Sequence, residues 1–245
     1  TLGKFASSQE GQGGWTWERI ERGFTWGPAY QEGWYRVQLK TPKKWSGNGH
    51  VLMYGKSPAI QWEAWGMVEG TIWLDGSQVG GLDFGHQFFR LPLDWTKLDL
   101  YIQTYAHNKE VTVHRPEKPR TPLPEEFHGF WLAQLDEARL ALFYDCEFAF
   151  DLMKAMAEDM PAQATILRAW NEVCNLFVDG DTKSYKRCRR EIREAFESLS
   201  GELKHTVVPV GHAHLDTAWL WPLSITRLKM AHTTAVQLSL MEKYG

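Results

Sequence analysis

The sequence predicts a multidomain protein, part α+β and part α/β: an amino-terminal antiparallel β-sandwich, a helical connector and then the first βα unit of a β/α barrel. Three observations predict this order. Short runs that alternate bulky and polar residues fill the first half of the chain, as in half-buried strands. Apolar residues then recur at intervals of three and four, as in amphipathic helices. Last, a valine-rich run ends in polar residues and leads into a helical pattern, the strand–turn–helix unit that builds β/α barrels.

The predicted boundaries follow changes in composition. Residues 1–24 are rich in Gly, Ser and Gln, and we interpret them as a lead-in segment. Residues 25–113 carry the short strands of the β-sandwich. Prolines cluster among charges in residues 114–130, which predicts an extended linker because proline is rigid and lacks an N–H group. The helical connector is expected over residues 131–203, and the start of the barrel over residues 204–245.

Two local patterns support these elements. The Asp75-Gly76 pair between apolar runs predicts a type I′ hairpin turn, because glycine tolerates the positive φ that this turn requires. Three amphipathic stripes predict helices over residues 135–156, 166–177 and 185–199. The chain has 13 tryptophans, which we interpret mainly as sheet and core packing rather than as sugar-stacking surfaces. This interpretation applies to Trp62, Trp65, Trp73 and Trp95.

Charge and cysteine usage exclude several classes of protein. The net charge is −3 with both signs mixed along the chain, so neither nucleic acid nor a membrane surface is an expected partner. No apolar stretch is long enough to span a membrane. Cys146, Cys174 and Cys188 match no zinc framework and predict reduced thiols on helices, and therefore a cytoplasmic protein. Several histidines are interpreted as surface or hydrogen-bonded residues, namely His86, His107, His128 and His232.

The most informative segment is residues 207–222, which read Val-Val-Pro-Val-Gly-His-Ala-His-Leu-Asp-Thr-Ala-Trp-Leu-Trp-Pro. A strand over residues 206–210 is expected to deliver His214 and Asp216 to its tip, although Pro209 removes one ladder donor. The two side chains are separated by one residue and point the same way on extended backbone. An imidazole nitrogen beside a carboxylate oxygen suits a divalent metal, zinc first. By themselves, a histidine and an aspartate at this spacing fit an ordinary hydrogen-bonded pair at the surface equally well.

The wider string Gly-His-Ala-His-Leu-Asp-Thr-Ala-Trp-Leu-Trp-Pro resembles the first metal-binding motif of the glycoside hydrolase family 38 α-mannosidases, most closely their cytosolic, 2C1-like type. The resemblance implies that His214 and Asp216 bind the catalytic Zn²⁺, or another divalent metal such as Co²⁺. It implies that Trp219 forms a stacking floor for mannose and that His212 supports the turn through a hydrogen bond. Residues 70–76 and the tryptophan-rich stretch before them are similar to the amino-terminal β domain of these enzymes.

This resemblance implies an amino-terminal part of a metal-dependent retaining α-mannosidase that hydrolyses terminal α-mannosides of oligosaccharides. We expect the nucleophile to lie beyond Gly245, so that these residues alone hold two metal ligands and are inactive. The expected partner is a mannose-containing oligosaccharide, without nucleic acid or membrane. Whether identical copies form a homo-oligomer stays open.

Two alternatives also stay open. Metal-dependent amidohydrolases on β/α barrels begin with a His-x-His pair after the first strand, and both His212 and His214 would then bind metal. That alternative leaves Trp219 without a role and does not account for the β-sandwich. In the second alternative, the tryptophan-rich sandwich is a non-catalytic carbohydrate-binding domain, because a fold does not by itself decide a function.

Overall fold

A computed structural model gives the fold. It describes residues 3–7, 16–43, 45, 49–54, 69–83, 85–106, 125–156, 160–199, 206, 208–219 and 221–244. The chain divides into two compact units, one of Thr1–Gln134 with Gly211–Gly245 and the other of Leu135–Val210.

The elements in chain order begin with the strands β1 (Gly3–Ser7), β2 (Glu18–Ile20), β3 (Thr25–Trp26), β4 (Glu32–Lys40), β5 (His50–Tyr54), β6 (Gly70–Leu74), β7 (Ser77–Leu82), β8 (Phe88–Arg90), β9 (Lys97–Tyr105), β10 (Glu125–Glu126) and β11 (Phe130–Gln134). The helices are α1 (Glu137–Ala155), α2 (Met160–Leu176), α3 (Thr182–Leu199) and α4 (Leu223–Tyr244).

The first unit is a β-sandwich of antiparallel sheets, as the sequence predicted. Its largest sheet has the strand order β2-β1-β4-β9-β6-β7, and a smaller sheet has the order β11-β5-β8. Side chains from both sheets form one buried apolar core, among them Tyr35, Leu52, Ile72, Ile102 and Phe130. Burial alternates along β4 because successive side chains of a strand point to opposite faces.

The hairpin between β6 and β7 also agrees with its prediction. Its two turn residues, Asp75 and Gly76, have φ angles of 50° and 79°. Positive φ at both positions is the mark of a type I′ turn, whose twist matches that of the flanking strands. Of the tryptophans assigned to packing, Trp95 is buried and Trp73 is half-buried, whereas Trp62 and Trp65 lie outside the described residues.

The predicted lead-in over residues 1–24 needs correction, because it contributes two strands to the large sheet. β1 pairs with β4 so that Phe5 stands opposite Tyr35, and the Phe5 ring lies 5.1 Å from the Tyr35 ring. The buried Phe5 side chain also meets Trp26 at 4.8 Å. A Gly- and Ser-rich composition hid this strand, which pairs with the short β2 on one side and with the more distant β4 on the other.

The predicted linker over residues 114–130 also differs from the structure at its end. β10 pairs with β3, and β11 pairs with β5 with Phe130 opposite Tyr54. Phe127 between them is buried in the β core. These residues therefore belong to the sandwich, while the linker prolines lie outside the described residues.

The second unit contains the three helices α1, α2 and α3, as the amphipathic stripes predicted. Asp136 caps α1, with its carboxylate accepting a 3.0 Å hydrogen bond from the Arg139 N–H. A separate apolar core joins the three helices, with Leu142, Ile166 and Tyr185 in it. Each helix carries one cysteine, and all three thiols are free. Among the described helices, none is both long and apolar enough to cross a membrane.

The described residues of the range 206–210, where a strand was predicted, form no strand. Thr206, Val208, Pro209 and Val210 are described, and none of them lies in a strand. Val208 is 75% exposed and Val210 is 82% exposed. A strand is stabilised by the ladder of its neighbours, and Pro209 cannot donate to one. The expected βα unit is here an irregular segment followed by α4.

Candidate functional site

His214 and Asp216 lie side by side on the irregular segment that precedes α4. The Nε2 atom of His214 is 3.3 Å from the Oδ2 atom of Asp216. The two side chains are 71% and 40% exposed, so both reach solvent. Residues 211–216 form neither a helix nor a strand, and the short distance between the two atoms shows that the side chains lie on one side of the chain, as expected for positions two residues apart.

The separation of these two atoms fits a direct polar contact between the side chains, and it also fits two ligands of one zinc ion. Tetrahedral zinc with ordinary bond lengths to nitrogen and oxygen holds two such ligand atoms about 3.4 Å apart. In the ranges that the structure describes, no group of three or more His, Cys, Asp or Glu residues could hold a metal ion. The pair is therefore suited to part of a ligand set rather than to a complete set.

His212 and Trp219 flank this pair. The ring of His212 lies 5.8 Å from the ring of His214, with 31° between the planes. The Trp219 side chain is 57% exposed, and its ring meets the Trp221 ring edge-on at 5.5 Å. An exposed indole offers an apolar face with a polar edge, which is the surface that sugar rings stack on.

Thr226, in the first turn of α4, accepts two hydrogen bonds from the segment that precedes the helix. Its Oγ1 atom accepts a 2.9 Å hydrogen bond from the Ala218 N–H and a 3.1 Å hydrogen bond from the Trp221 Nε1–H. Ala218 has a φ of 53°, in the left-handed region that non-glycine residues rarely adopt. Sequence reasoning missed Thr226, because no local pattern distinguishes it from any threonine near a helix start.

A second contact ties α4 to the β-sandwich. The Lys229 Nζ atom lies 2.5 Å from the Glu69 Oε2 atom, and the Tyr105 hydroxyl donates to the same carboxylate. Burial and the neighbouring Glu69 charge hold the pKa of Tyr105 well above its usual value. The Lys229 ammonium also lies 4.4 Å from the centre of the Trp221 ring, a cation–π contact.

A third contact lies one turn further along α4. The Nε2 atom of the buried His232 lies 2.7 Å from Asp83 Oδ2, and His86 Nδ1 lies 2.9 Å from Asp83 Oδ1. Burial by itself would raise the pKa of Asp83, but hydrogen bonds from His232 and His86 hold it well below its usual value. The hydrogen bond between His86 and Asp83 raises the pKa of His86. Both histidines are hydrogen-bonded to Asp83 through one ring nitrogen, as predicted, but the buried Nδ1 atom of His232 has no hydrogen-bond partner among the described residues. His107, for which the same prediction was made, lies outside the described residues.

α4 approaches the backbone of β7 closely at Gly81. A Cβ atom on Gly81 would lie 2.4 Å from the His232 Cε1 atom, so only glycine fits without displacement. Glycine inside a strand often marks the close approach of another element. Gly81 was therefore a signal in the sequence for the close approach of another element.

Comparison with known proteins finds two family models and several relatives that match this chain. Residues 4–155 match the family model "Alpha-mannosidase, jelly roll domain", and residues 204–245 match "Glycosyl hydrolases family 38 N-terminal domain". The chain is similar to α-mannosidase 2C1 of Mus musculus and of Homo sapiens, each 28% identical over 236 residues, with 90% of this chain and 21% of the relative covered. It is 26% identical over 239 residues to an α-mannosidase of Saccharomyces cerevisiae, covering 89% of this chain and 21% of that protein.

The chain thus spans about a fifth of the length of these curated relatives. A solved structure of CBM51-2 with GlcNAc and INT domains from Clostridium perfringens ZmpB covers 80% of this chain and 39% of its own. The TM-score of that match is 0.20 and the sequence identity is 10%. The jelly-roll model, by contrast, covers more than half of the chain. The chain therefore belongs to the glycosyl hydrolase family 38 α-mannosidases, with the jelly-roll domain of that family in residues 4–155.

Proposed function

We propose that the whole protein is a metal-dependent, retaining α-mannosidase that releases terminal mannose from oligosaccharides. The observation that carries this proposal is the 3.3 Å separation of His214 Nε2 and Asp216 Oδ2, within the residues that match the family 38 domain. Relatives that match 89–90% of this chain are named α-mannosidases, which supports the substrate class.

His214 and Asp216 would hold the metal, with Zn²⁺ first and Co²⁺ as an alternative that suits the same atoms. A metal at this position supplies a Lewis acid for sugar oxygens. The exposure of both side chains leaves their ligand atoms open to an ion and to a sugar from solvent. Trp219 would orient the mannose ring by stacking under its C–H face, and fixed orientation lowers the entropic part of the reaction barrier.

Retaining glycosidases also need a nucleophilic carboxylate and an acid, about 5 Å apart. We assign neither group to a described residue. We propose further that residues 204–245 contribute to a β/α barrel in the whole protein. The exposed Val208 and Val210 side chains support this, because β-branched apolar residues fit a buried strand.

We also propose a cytoplasmic location. The three free thiols support this location, since the cysteines of extracellular proteins commonly form disulfides. The exposed Cys174 side chain is compatible with a reducing compartment. Alkylation under denaturing conditions of protein from acid-trapped cells counts the reduced thiols, because unfolding also exposes the buried Cys188. Full oxidation in cells would contradict this location.

The test is hydrolysis of an aryl α-mannoside by the whole protein, first stripped with a chelator and then given Zn²⁺ or Co²⁺. We expect His214→Ala and Asp216→Asn to abolish both bound metal and mannose release. His212→Ala is the matched control, an exposed histidine of the same segment, and it should keep its metal. Detection of the product by NMR should show the α-anomer first.

Two results would contradict the proposal. Absence of mannose release by the metal-loaded wild type would remove the mannosidase function. Loss of metal from His212→Ala as complete as from His214→Ala would instead favour the amidohydrolase, in which both histidines bind metal.

A further inference from the structure

The segment that carries Asp216 and Trp219 is hydrogen-bonded to α4 through one atom, the hydroxyl oxygen of Thr226. The Ala218 N–H and the Trp221 Nε1–H both donate to the Oγ1 atom of Thr226, at 2.9 and 3.1 Å. Thr226 is buried, so its position is set by the packing of α4 rather than by solvent. A single hydroxyl oxygen therefore holds the chain at two points.

One of these points is the strained residue of the segment. Ala218 has a φ of 53°, which costs a residue with a Cβ atom about 1–2 kcal/mol relative to ordinary backbone. Such a conformation persists only where the surroundings hold it. The hydrogen bond from the N–H group of Ala218 to Thr226 is a contact of this kind. Because Ala218 lies between Asp216 and Trp219, its conformation decides how these two side chains are directed relative to each other.

The other point is Trp221, which is held from a second side. The Lys229 ammonium lies 4.4 Å from the centre of the Trp221 ring and is itself paired with Glu69. The Trp221 ring then meets the Trp219 ring edge-on at 5.5 Å. The position of the exposed Trp219 therefore depends on Trp221, and through it on Thr226.

We propose that Thr226 is a positioning residue of the candidate site: it holds the turn at Ala218 and the Trp221 ring, and thereby sets the arrangement of Asp216 and Trp219. This inference rests on the proposed function for its consequence, and on the two hydrogen bonds for its structural part. Thr226 has no contact with a sugar or a metal in this role. It acts through the backbone and the neighbouring ring.

The structural part is tested by fluorine NMR on the protein labelled with fluorotryptophan. Single Trp219→Phe and Trp221→Phe variants assign the two signals. Thr226→Ala, which removes the acceptor but keeps helix propensity, should shift or broaden both signals. Thr226→Ser keeps the hydroxyl and is the matched control, so its spectrum should agree with that of the wild type. The signals of the buried Trp26 and Trp95 report whether the β core stays folded.

An unchanged position of the Trp219 and Trp221 signals in Thr226→Ala would overturn the proposal. Loss of the Trp26 and Trp95 signals in the same variant would also overturn it, because Thr226 would then serve overall stability rather than the turn.

The functional part uses mannose release by the metal-loaded whole protein. Thr226→Ala should raise KM about tenfold, equivalent to about 1.4 kcal/mol, the ordinary net contribution of a hydrogen bond. The change in kcat should be smaller, and Thr226→Ser should stay within about twofold of the wild type. Equal kinetics for Thr226→Ala and wild type would contradict the consequence for the site. A wild type without activity would remove the proposed function, while the fluorine spectra still decide the role of Thr226.

Discussion

Substitution of Gly81 by alanine tests how closely α4 rests on the β-sandwich. The added Cβ would lie 2.4 Å from His232 Cε1, 2.6 Å from His232 Nδ1 and 2.8 Å from Val236 Cγ2. The His232 ring cannot turn away freely, because it is buried and its Nε2 atom lies 2.7 Å from Asp83 Oδ2. Ordinary carbon contacts begin at about 3.5 Å, so α4 must move by roughly 1 Å.

Overpacking of this kind costs about 1–3 kcal/mol. For a chain of this length we expect the melting temperature to fall by about 2–12 °C, measured by calorimetry, with a matching shift of the urea midpoint. Gly85→Ala is the matched control, because its Cβ would meet only Asp83 Oδ1 at an ordinary distance of 3.5 Å. His232→Ala in the Gly81→Ala background should recover part of the loss, since it removes the ring that the new methyl group strikes.

The reasoning is refuted if Gly81→Ala melts at the temperature of the wild type, or if Gly85→Ala loses as much stability. Fully additive effects of Gly81→Ala and His232→Ala would also count against it, because two side chains that collide must couple.

Three further predictions concern the contacts around α4 and the β6–β7 turn. Asp83 raises the pKa of His86 above its ordinary value of 6.5. The stability that this pair contributes is therefore complete below pH 6.5 and is lost as the pH rises through the raised pKa. In a plot of melting temperature against pH, His86→Gln should reduce the decline on the alkaline side. Lys229→Met and Glu69→Gln should each destabilise, with a coupling of about 0.5–3 kcal/mol in a double-mutant cycle followed by urea unfolding; additive losses would disprove the contact. Gly76→Ala should cost about 1 kcal/mol by urea unfolding, because its φ is 79° and the Cβ would meet nothing within 4 Å; Gly76→Asn should cost less.

Elements with local signals were predicted well. Asp75-Gly76 forms the expected turn because both of its residues and the strands beside it are neighbours in sequence. The three helices of the second unit follow their apolar stripes, since a stripe at intervals of three and four needs only one apolar partner surface to become buried. The adjacency of His214 and Asp216 belongs to the same class, because the two positions are separated by only one residue.

Elements that depend on distant partners were predicted poorly. Phe5 is part of a strand because Tyr35 lies opposite it, and nothing in the Gly- and Ser-rich sequence around Phe5 indicates that partner. Val208 and Val210 show the reverse case: they have strand-forming side chains, but a strand exists only where another strand completes its hydrogen-bond ladder.

The sequence by itself determined the family, the order of sheet and helices, and the identity of the two candidate metal ligands, because these depend on residue types at short spacings. Only the tertiary structure decided how α4, which carries Thr226, is attached to the β-sandwich. Lys229 and Glu69 are separated by 160 residues, yet their charges meet within hydrogen-bonding distance. Contacts of this kind form when packing brings a helix against a sheet, and no spacing along the chain records them.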